Sequence, residues 1–194
     1  MQDANWFIGW PADRWDCGAT LDAAIHALEL PKTSRRLDGD DRHVTLAFLG
    51  RCGQPAAEQA FAEATTQAAT MPAELSLRGT GWQLLGPPRA PSAVSLLVNA
   101  DAGRLETLIA AHRGALYAAA GAAPDTRPPK PHVTVARLDR RLPDADRERI
   151  RRRLDASPPP DGELVLDRLT LFTWTESRDR RLFRRVASTR LGPT

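Results

Sequence analysis

Two short strings in this chain nearly repeat each other: Arg42-His43-Val44-Thr45-Leu46-Ala47-Phe48 and Pro131-His132-Val133-Thr134-Val135-Ala136-Arg137. Each reads His, apolar, Thr, apolar, Ala. The alternation is that of a half-buried strand, in which residues two apart share a face. It turns Val44 and Leu46 toward a core while His43 and Thr45 point away from it together. Val133 and Val135 against His132 and Thr134 repeat the arrangement. A chain with one copy in each half is constrained to fold so that both halves present the same strand.

The rest of the chain fits two such halves. Trp6 to Trp10, ended by Pro11, reads as a buried strand. Leu21 to Leu30 has helical period, with Leu21, Ile25 and Leu28 on one stripe, Thr20 or Asp22 near its start and Pro31 at its end. Lys32 to Asp41 is polar and charged and is expected as a solvated loop. His43 to Leu49 is the first motif strand, closed by Gly50, and Pro55 opens an alanine-rich helix to about Ala69. Glu74 to Leu85 reads as a strand with a bulge or bend at Gly79 and Gly81, and Ala93 to Val98 as a continuous apolar strand. Leu105 to Ala120 is the longest expected helix, with Leu105, Leu108, Ile109 and Leu116 on its apolar stripe. Proline-rich loop leads into the second motif strand. Asp144 to Leu154 is a charged helix or turn. Leu164 to Trp174 and Leu182 to Leu191 read as two strands joined by a polar hairpin loop.

With 194 residues there is room for one well-buried domain or two small lobes sharing a core, and no linker separates independent units. The expected fold is therefore α+β: a bilobal single domain over 1–194, its two pseudo-symmetric lobes built of antiparallel sheets facing a central cleft, with helices outside. The motif strands are expected side by side about an approximate two-fold axis.

Composition adds little to this. The net charge of +3 is carried almost wholly by arginine, lysine occurring only at Lys32 and Lys130. Guanidinium forks match phosphate oxygens, but GC-rich coding produces the same bias. Cys17 and Cys52 lack metal-type spacing, read as inert, and fit a reducing cytosol. The N-terminus has no basic stretch followed by an apolar run, so no signal peptide is expected, and no segment has the length of a membrane span. The expectation is a cytoplasmic protein, by default a monomer.

Imidazole titrates near neutrality, so of two such groups one can accept a proton while the other donates one. On opposite sides of a phosphodiester, the pair suits in-line displacement: one histidine takes the proton of attacking water, and the other protonates the leaving oxygen. Thr45 and Thr134 can donate to non-bridging phosphate oxygens, and Arg137, read onto the same face, adds positive charge where charge develops. A lone His-x-Thr strand is ordinary structure; two copies with matched flanks point to a site made of His43, His132, Thr45, Thr134 and Arg137. This chemistry calls for no metal or other cofactor. A zinc centre would need a third close ligand, which neither motif supplies, and Asp40 and Asp41 read as solvated. His26 and His112 read as surface or boundary residues on helices, and Trp82 as core or boundary. Arg147 to Arg153 read as a solvated helix face. The arginines from Arg178 to Arg190 offer, as a secondary reading, a groove for RNA phosphates.

These residues resemble the paired signatures of the 2H phosphoesterases. With Phe48-Leu49-Gly50 after the first motif and Arg137 after the second, they are similar to the RNA 2′,3′-cyclic phosphodiesterases, also called 2′-5′ RNA ligases. The resemblance runs nearly end to end. It implies a bilobal α+β fold, metal-independent hydrolysis of RNA 2′,3′-cyclic phosphate ends to 2′-phosphomonoesters, and reversible 2′-5′ joining of tRNA halves. It makes His43 and His132 the catalytic pair, with Thr45 and Thr134 holding the phosphate, His132 assigned as base and His43 as acid. The charged lead-in Asp40-Asp41-Arg42 departs from the family's usual apolar, proline-containing one. Two alternatives stay open: an RNA-end binding module with vestigial catalysis, and a 2H enzyme acting on another 2′-5′ bond or on a small cyclic nucleotide such as ADP-ribose 1″,2″-cyclic phosphate.

Overall fold

Both motif strings are strands, and they are neighbours. The computed structural model of the chain describes residues 4–16, 18–87, 89–100, 103–139, 141–177 and 181–193. Cys17, Arg178 and Arg180, all remarked in the sequence, lie outside the described residues, as does the side chain of Thr20. In chain order the elements are β1 (Trp6–Pro11), α1 (Gly18–Ala27), β2 (Arg35–Arg36), a 3-10 turn (Gly39–Asp41), β3 (His43–Gly50), α2 (Gln54–Ala68), β4 (Leu75–Leu85), β5 (Ala93–Asn99), α3 (Arg104–Ala119), β6 (His132–Arg137), α4 (Asp144–Ala156), β7 (Glu163–Leu166), β8 (Arg168–Trp174) and β9 (Phe183–Arg190).

The strands form one antiparallel sheet in the order β7-β4-β5-β6-β3-β1-β8-β9, with β2 paired to β6. The expected lobes are its two halves, β6-β5-β4-β7 and β3-β1-β8-β9, and they join where β3 meets β6 at Val44 and Val133. Helices α2 and α3 pack on each other; α3 also packs on β3, α2 on β1 and β8, and α4 on β4. The apolar stripe expected from the period is buried, at Leu21 and Ile25 of α1 and at Leu28 in the turn just after it, and α3 buries Leu105, Ile109, Leu116 and Tyr117. No helix among the described residues is long and apolar enough to cross a membrane.

The two-fold relation extends to register. Trp10, Gly9 and Ile8 of β1 face Val44, Thr45 and Ala47 of β3, a pairing that skips Leu46. Leu96, Ser95 and Val94 of β5 face Val133, Thr134 and Ala136 of β6, a pairing that skips Val135. Each motif strand therefore carries a one-residue bulge at the same place, and a bulge reverses the facing of the residues beyond it. Arg137 does share the face of His132 and Thr134, as assigned, but only through the bulge. Strict alternation from His132 would put it with Val133 and Val135 on the core side; the bulge returns it to the side of His132 and Thr134. Its counterpart in the first motif, Phe48, is turned out in the same way and is the exposed large hydrophobic residue of the described chain.

Some expectations are corrected. Leu164 to Trp174 is not one strand: β7 pairs with β4 at one edge of the sheet, whereas β8 pairs with β1 and β9 near the other. Asp167 separates them, its carboxylate held by Arg14 at 2.6 Å and Arg168 at 2.7 Å. The helix at Asp144–Ala156 is not solvated throughout, since Arg147 is buried and donates to the carbonyls of Pro91 and Asp139. Asp41, expected in a solvated loop, is 1% exposed. Trp82 is buried, in keeping with its reading as core or boundary, and its Nε1 donates to the Pro158 carbonyl at 3.0 Å.

Candidate active site

His43 and His132 each open their strand, and each is pinned the same way. Nδ1 of His43 lies 2.8 Å from the Asp41 carbonyl oxygen, and Nδ1 of His132 lies 2.7 Å from that of Lys130. A carbonyl only accepts, so each Nδ1 is the protonated nitrogen. The lone pair of each neutral imidazole is then on Nε2, ready to take or return a proton. The repeat in sequence is thus also a repeat in tautomer, with the orienting carbonyl two residues before each histidine.

A single cleft of about 420 Å³ brings the predicted residues together. His43, Thr45, His132, Thr134 and Arg137 all line it, along with Phe7, Phe48, Ser92, Leu138, Trp174, Leu182 and Phe183. The Thr134 hydroxyl is 3.2 Å from that of the buried Ser95, which fixes its direction. Ser95 carries no sequence signal beyond its place in an apolar strand.

The surroundings of the histidines set their protonation. His43 packs against three phenylalanines: Phe7 at 4.5 Å, Phe183 edge-on at 5.1 Å and Phe172 at 5.4 Å between ring centres. Burial there pushes its pKa down to about 4, against the pull of the Asp41 carbonyl and with help from the positive charges of His132, Arg137 and Arg185. Burial also lowers the pKa of His132, reinforced by Arg137 and Lys130 and opposed by the Lys130 carbonyl. Both imidazoles are neutral at neutral pH, and an anion placed between them raises both pKa values.

Asp41 is the functional residue that sequence reasoning missed. Its carbonyl holds His43, while its carboxylate accepts from the backbone N–H of Leu182 at 2.9 Å and of Phe183 at 3.0 Å. One buried residue thereby fixes the His43 ring and the chain that brings Leu182 and Phe183 to the cleft wall.

The remaining histidines and the thiol stand apart. His26 accepts from Arg36 Nη1 at 3.1 Å, and His112 joins Gln67 of α2 at 3.2 Å. Burial pushes the Cys52 thiol up, away from reactivity. Among the described residues no group of three or more His, Cys, Asp or Glu side chains is arranged to hold a metal ion.

The family model of the 2′-5′ RNA ligase superfamily matches residues 19–178, spanning both motifs. The chain belongs to that superfamily. It is accordingly an enzyme of the 2H phosphoesterase class, the family to which the two motifs point. Solved structures agree on the fold. The Thermus thermophilus protein TT0787 is 17% identical with a TM-score of 0.68, over 98% of this chain and 100% of its own. E. coli LigT complexed with NADP+ is 20% identical with a TM-score of 0.64, over 99% of each chain. A structure described as a phosphoesterase is 18% identical with a TM-score of 0.64, over 98% of this chain and 99% of its own. No curated protein matches the sequence.

Proposed function

We propose that this protein hydrolyses RNA 2′,3′-cyclic phosphate ends to 2′-phosphomonoesters without a metal ion, and that the same displacement of O3′, with an RNA 5′-hydroxyl in place of water, reversibly joins RNA ends, tRNA halves among them, through a 2′-5′ bond. The observation that carries this reading is the paired tautomer: two imidazoles, each with Nδ1 held by a carbonyl, lining one cleft with two threonines and an arginine. Water attacks phosphorus and gives its proton to Nε2 of His132. With the anionic substrate bound, the raised pKa lets His43 carry a second proton, on Nε2; the P–O3′ bond breaks as Nε2 passes that proton to O3′, His43 returns to its neutral form, and the phosphate stays on O2′. Each proton transfer contributes roughly 10²–10⁴ in rate. Thr45, Thr134 and Arg137 hold the non-bridging oxygens. The exposed ring of Phe48 offers a face for the terminal base. In this reading residues 1–194 act as one two-lobed, cytoplasmic, monomeric domain.

The test is incubation with an RNA oligonucleotide ending in a 2′,3′-cyclic phosphate, with EDTA present, followed by identification of the product. A 2′-phosphate that disappears in His43→Ala and His132→Ala, both still folded, supports the proposal. A 3′-phosphate, or loss of activity in EDTA, overturns the mechanism. A phosphodiester with 4-nitrophenol as leaving group needs no proton there, so it restores turnover to the variant lacking the acid and not to the one lacking the base.

A further inference from the structure

Resting on that reading and going beyond it, we propose that a second pocket beside the cleft binds the phosphodiester upstream of the reacting end, so that an RNA strand, not a mononucleotide, is the preferred substrate. This pocket, about 310 Å³, is lined by Asp40, Thr175, Arg181, Phe183, Arg184 and Arg185. Phe183 walls both cavities, so a strand leaving the cleft over that ring enters the second pocket directly.

Three guanidiniums there face one carboxylate. Asp40 is shared between Arg181 and Arg185, the latter at 3.5 Å, and Arg185 also reaches Asp13 at 2.8 Å. The lining keeps an excess of positive charge. Nε and Nη2 of Arg185 are buried donors with no hydrogen-bond acceptor. These donors are shut off from solvent behind the Asp40 and Asp13 contacts, so an anion in the pocket meets the exposed guanidiniums of Arg181 and Arg184, each able to grip two phosphate oxygens at once, with the buried charge of Arg185 backing them.

The sheet places this arginine on the catalytic side. Phe48, Phe7, Phe172 and Arg185 are register partners across β3, β1, β8 and β9, a row that starts at the cleft wall. Adjacent strands lie about 4.8 Å apart, which puts Arg185 roughly 10 Å from Phe7. Its charge is felt at His43. A phosphate on a nucleotide's own 5′ oxygen has the same anion chemistry, and only a chain length series separates the two sources.

The experiment compares kcat/KM for a 2′,3′-cyclic mononucleotide, the same compound phosphorylated on O5′, and a trinucleotide with the same cyclic end. Wild type and the double variant Arg181→Ala/Arg184→Ala are measured at two salt concentrations. We expect wild type to prefer the trinucleotide by about tenfold, the size of one charge-assisted contact. The double variant should lose that preference and part of its salt dependence, while hydrolysing the mononucleotide at the wild-type rate. Equal turnover of mononucleotide and trinucleotide by wild type, or equal losses on both in the variant, overturns the second site and leaves the hydrolytic reading standing. A 5′-phosphorylated mononucleotide that matches the trinucleotide overturns the strand preference. No turnover of any cyclic substrate defeats the proposed function itself, and this inference with it.

Discussion

Asp41 serves the site through two different groups, its carbonyl to His43 and its carboxylate to the backbone of Leu182 and Phe183. Replacing Asp41 with Asn keeps the carbonyl but turns one acceptor into a donor facing an N–H. The expected cost is about 1–3 kcal/mol, the penalty for a buried unmet group, read from urea unfolding. Because Phe183 stacks edge-on against His43, the variant should also lose kcat more than it raises KM; a change in stability alone would limit Asp41 to a structural role. His43 gives a second prediction at this scale. Its folded pKa, about 4, lies below its ordinary 6.5, so between these values the unfolded chain binds the extra proton. The stability His43 contributes is present above pH 6.5 and is lost as pH falls toward 4, on the order of 3 kcal/mol for that shift. Unfolding measured from pH 7 to pH 4 should show this slope in wild type and a flatter one in His43→Gln. An unchanged slope would mean that the ring does not titrate as its phenylalanine surroundings require.

At the scale of elements, the motif strands work because they are not regular. The bulges at Leu46 and Val135 let three residues of each string face the same way: His and Thr toward the cleft, then Phe48 or Arg137 toward it again. Position and type of these strands were legible in the period-two pattern. The bulges were not, because a bulge belongs to the pairing of two strands and leaves no mark on one. The separation of β7 from β8 left a mark in sequence, the adjacent charges Asp167 and Arg168 that break the alternation, but nothing local says that the two strands pair at opposite edges of the sheet. Buried Asp41 and Arg147 read as solvated because a charge looks the same in sequence whether water or backbone satisfies it. The close approach of β1 to β3 is testable. A Cβ on Gly9 would sit 2.4 Å from the Val44 carbonyl oxygen, between His43 and Thr45. Gly9→Ala should therefore part the two strands, costing about 1–3 kcal/mol as overpacking does, and lower kcat with it. The equivalent place in the other half holds Ser95, whose side chain fits and orients Thr134. If Gly9→Ala is neutral by calorimetry, β1 has room to move that the register denies.

For the whole molecule, the seam between β3 and β6 is where structure and reaction meet. The two halves of the sheet join there at Val44 and Val133, and each half brings one histidine and one threonine to the same cleft. A phosphate held by Thr45 and Thr134 together is a tie between halves, so its binding should register as stability of the entire fold. A ligand that binds only the folded state at about 100 times its Kd adds about 2.7 kcal/mol. For a chain of this size that raises Tm by roughly 5–10 °C. Adenosine 2′-monophosphate, the product of the proposed reaction, is the probe, and scanning calorimetry the measurement. In Thr45→Ala/Thr134→Ala the rise should vanish at the same ligand concentration, while the ligand-free Tm falls only by the loss of the Thr134 contact with the buried Ser95 hydroxyl. Thr45→Ala alone and Thr134→Ala alone should each remove part of the rise. If one threonine carried all of it, the phosphate would belong to one half, the tie across the seam would not exist, and the two-fold symmetry of the motifs would describe the fold without describing how the substrate is held.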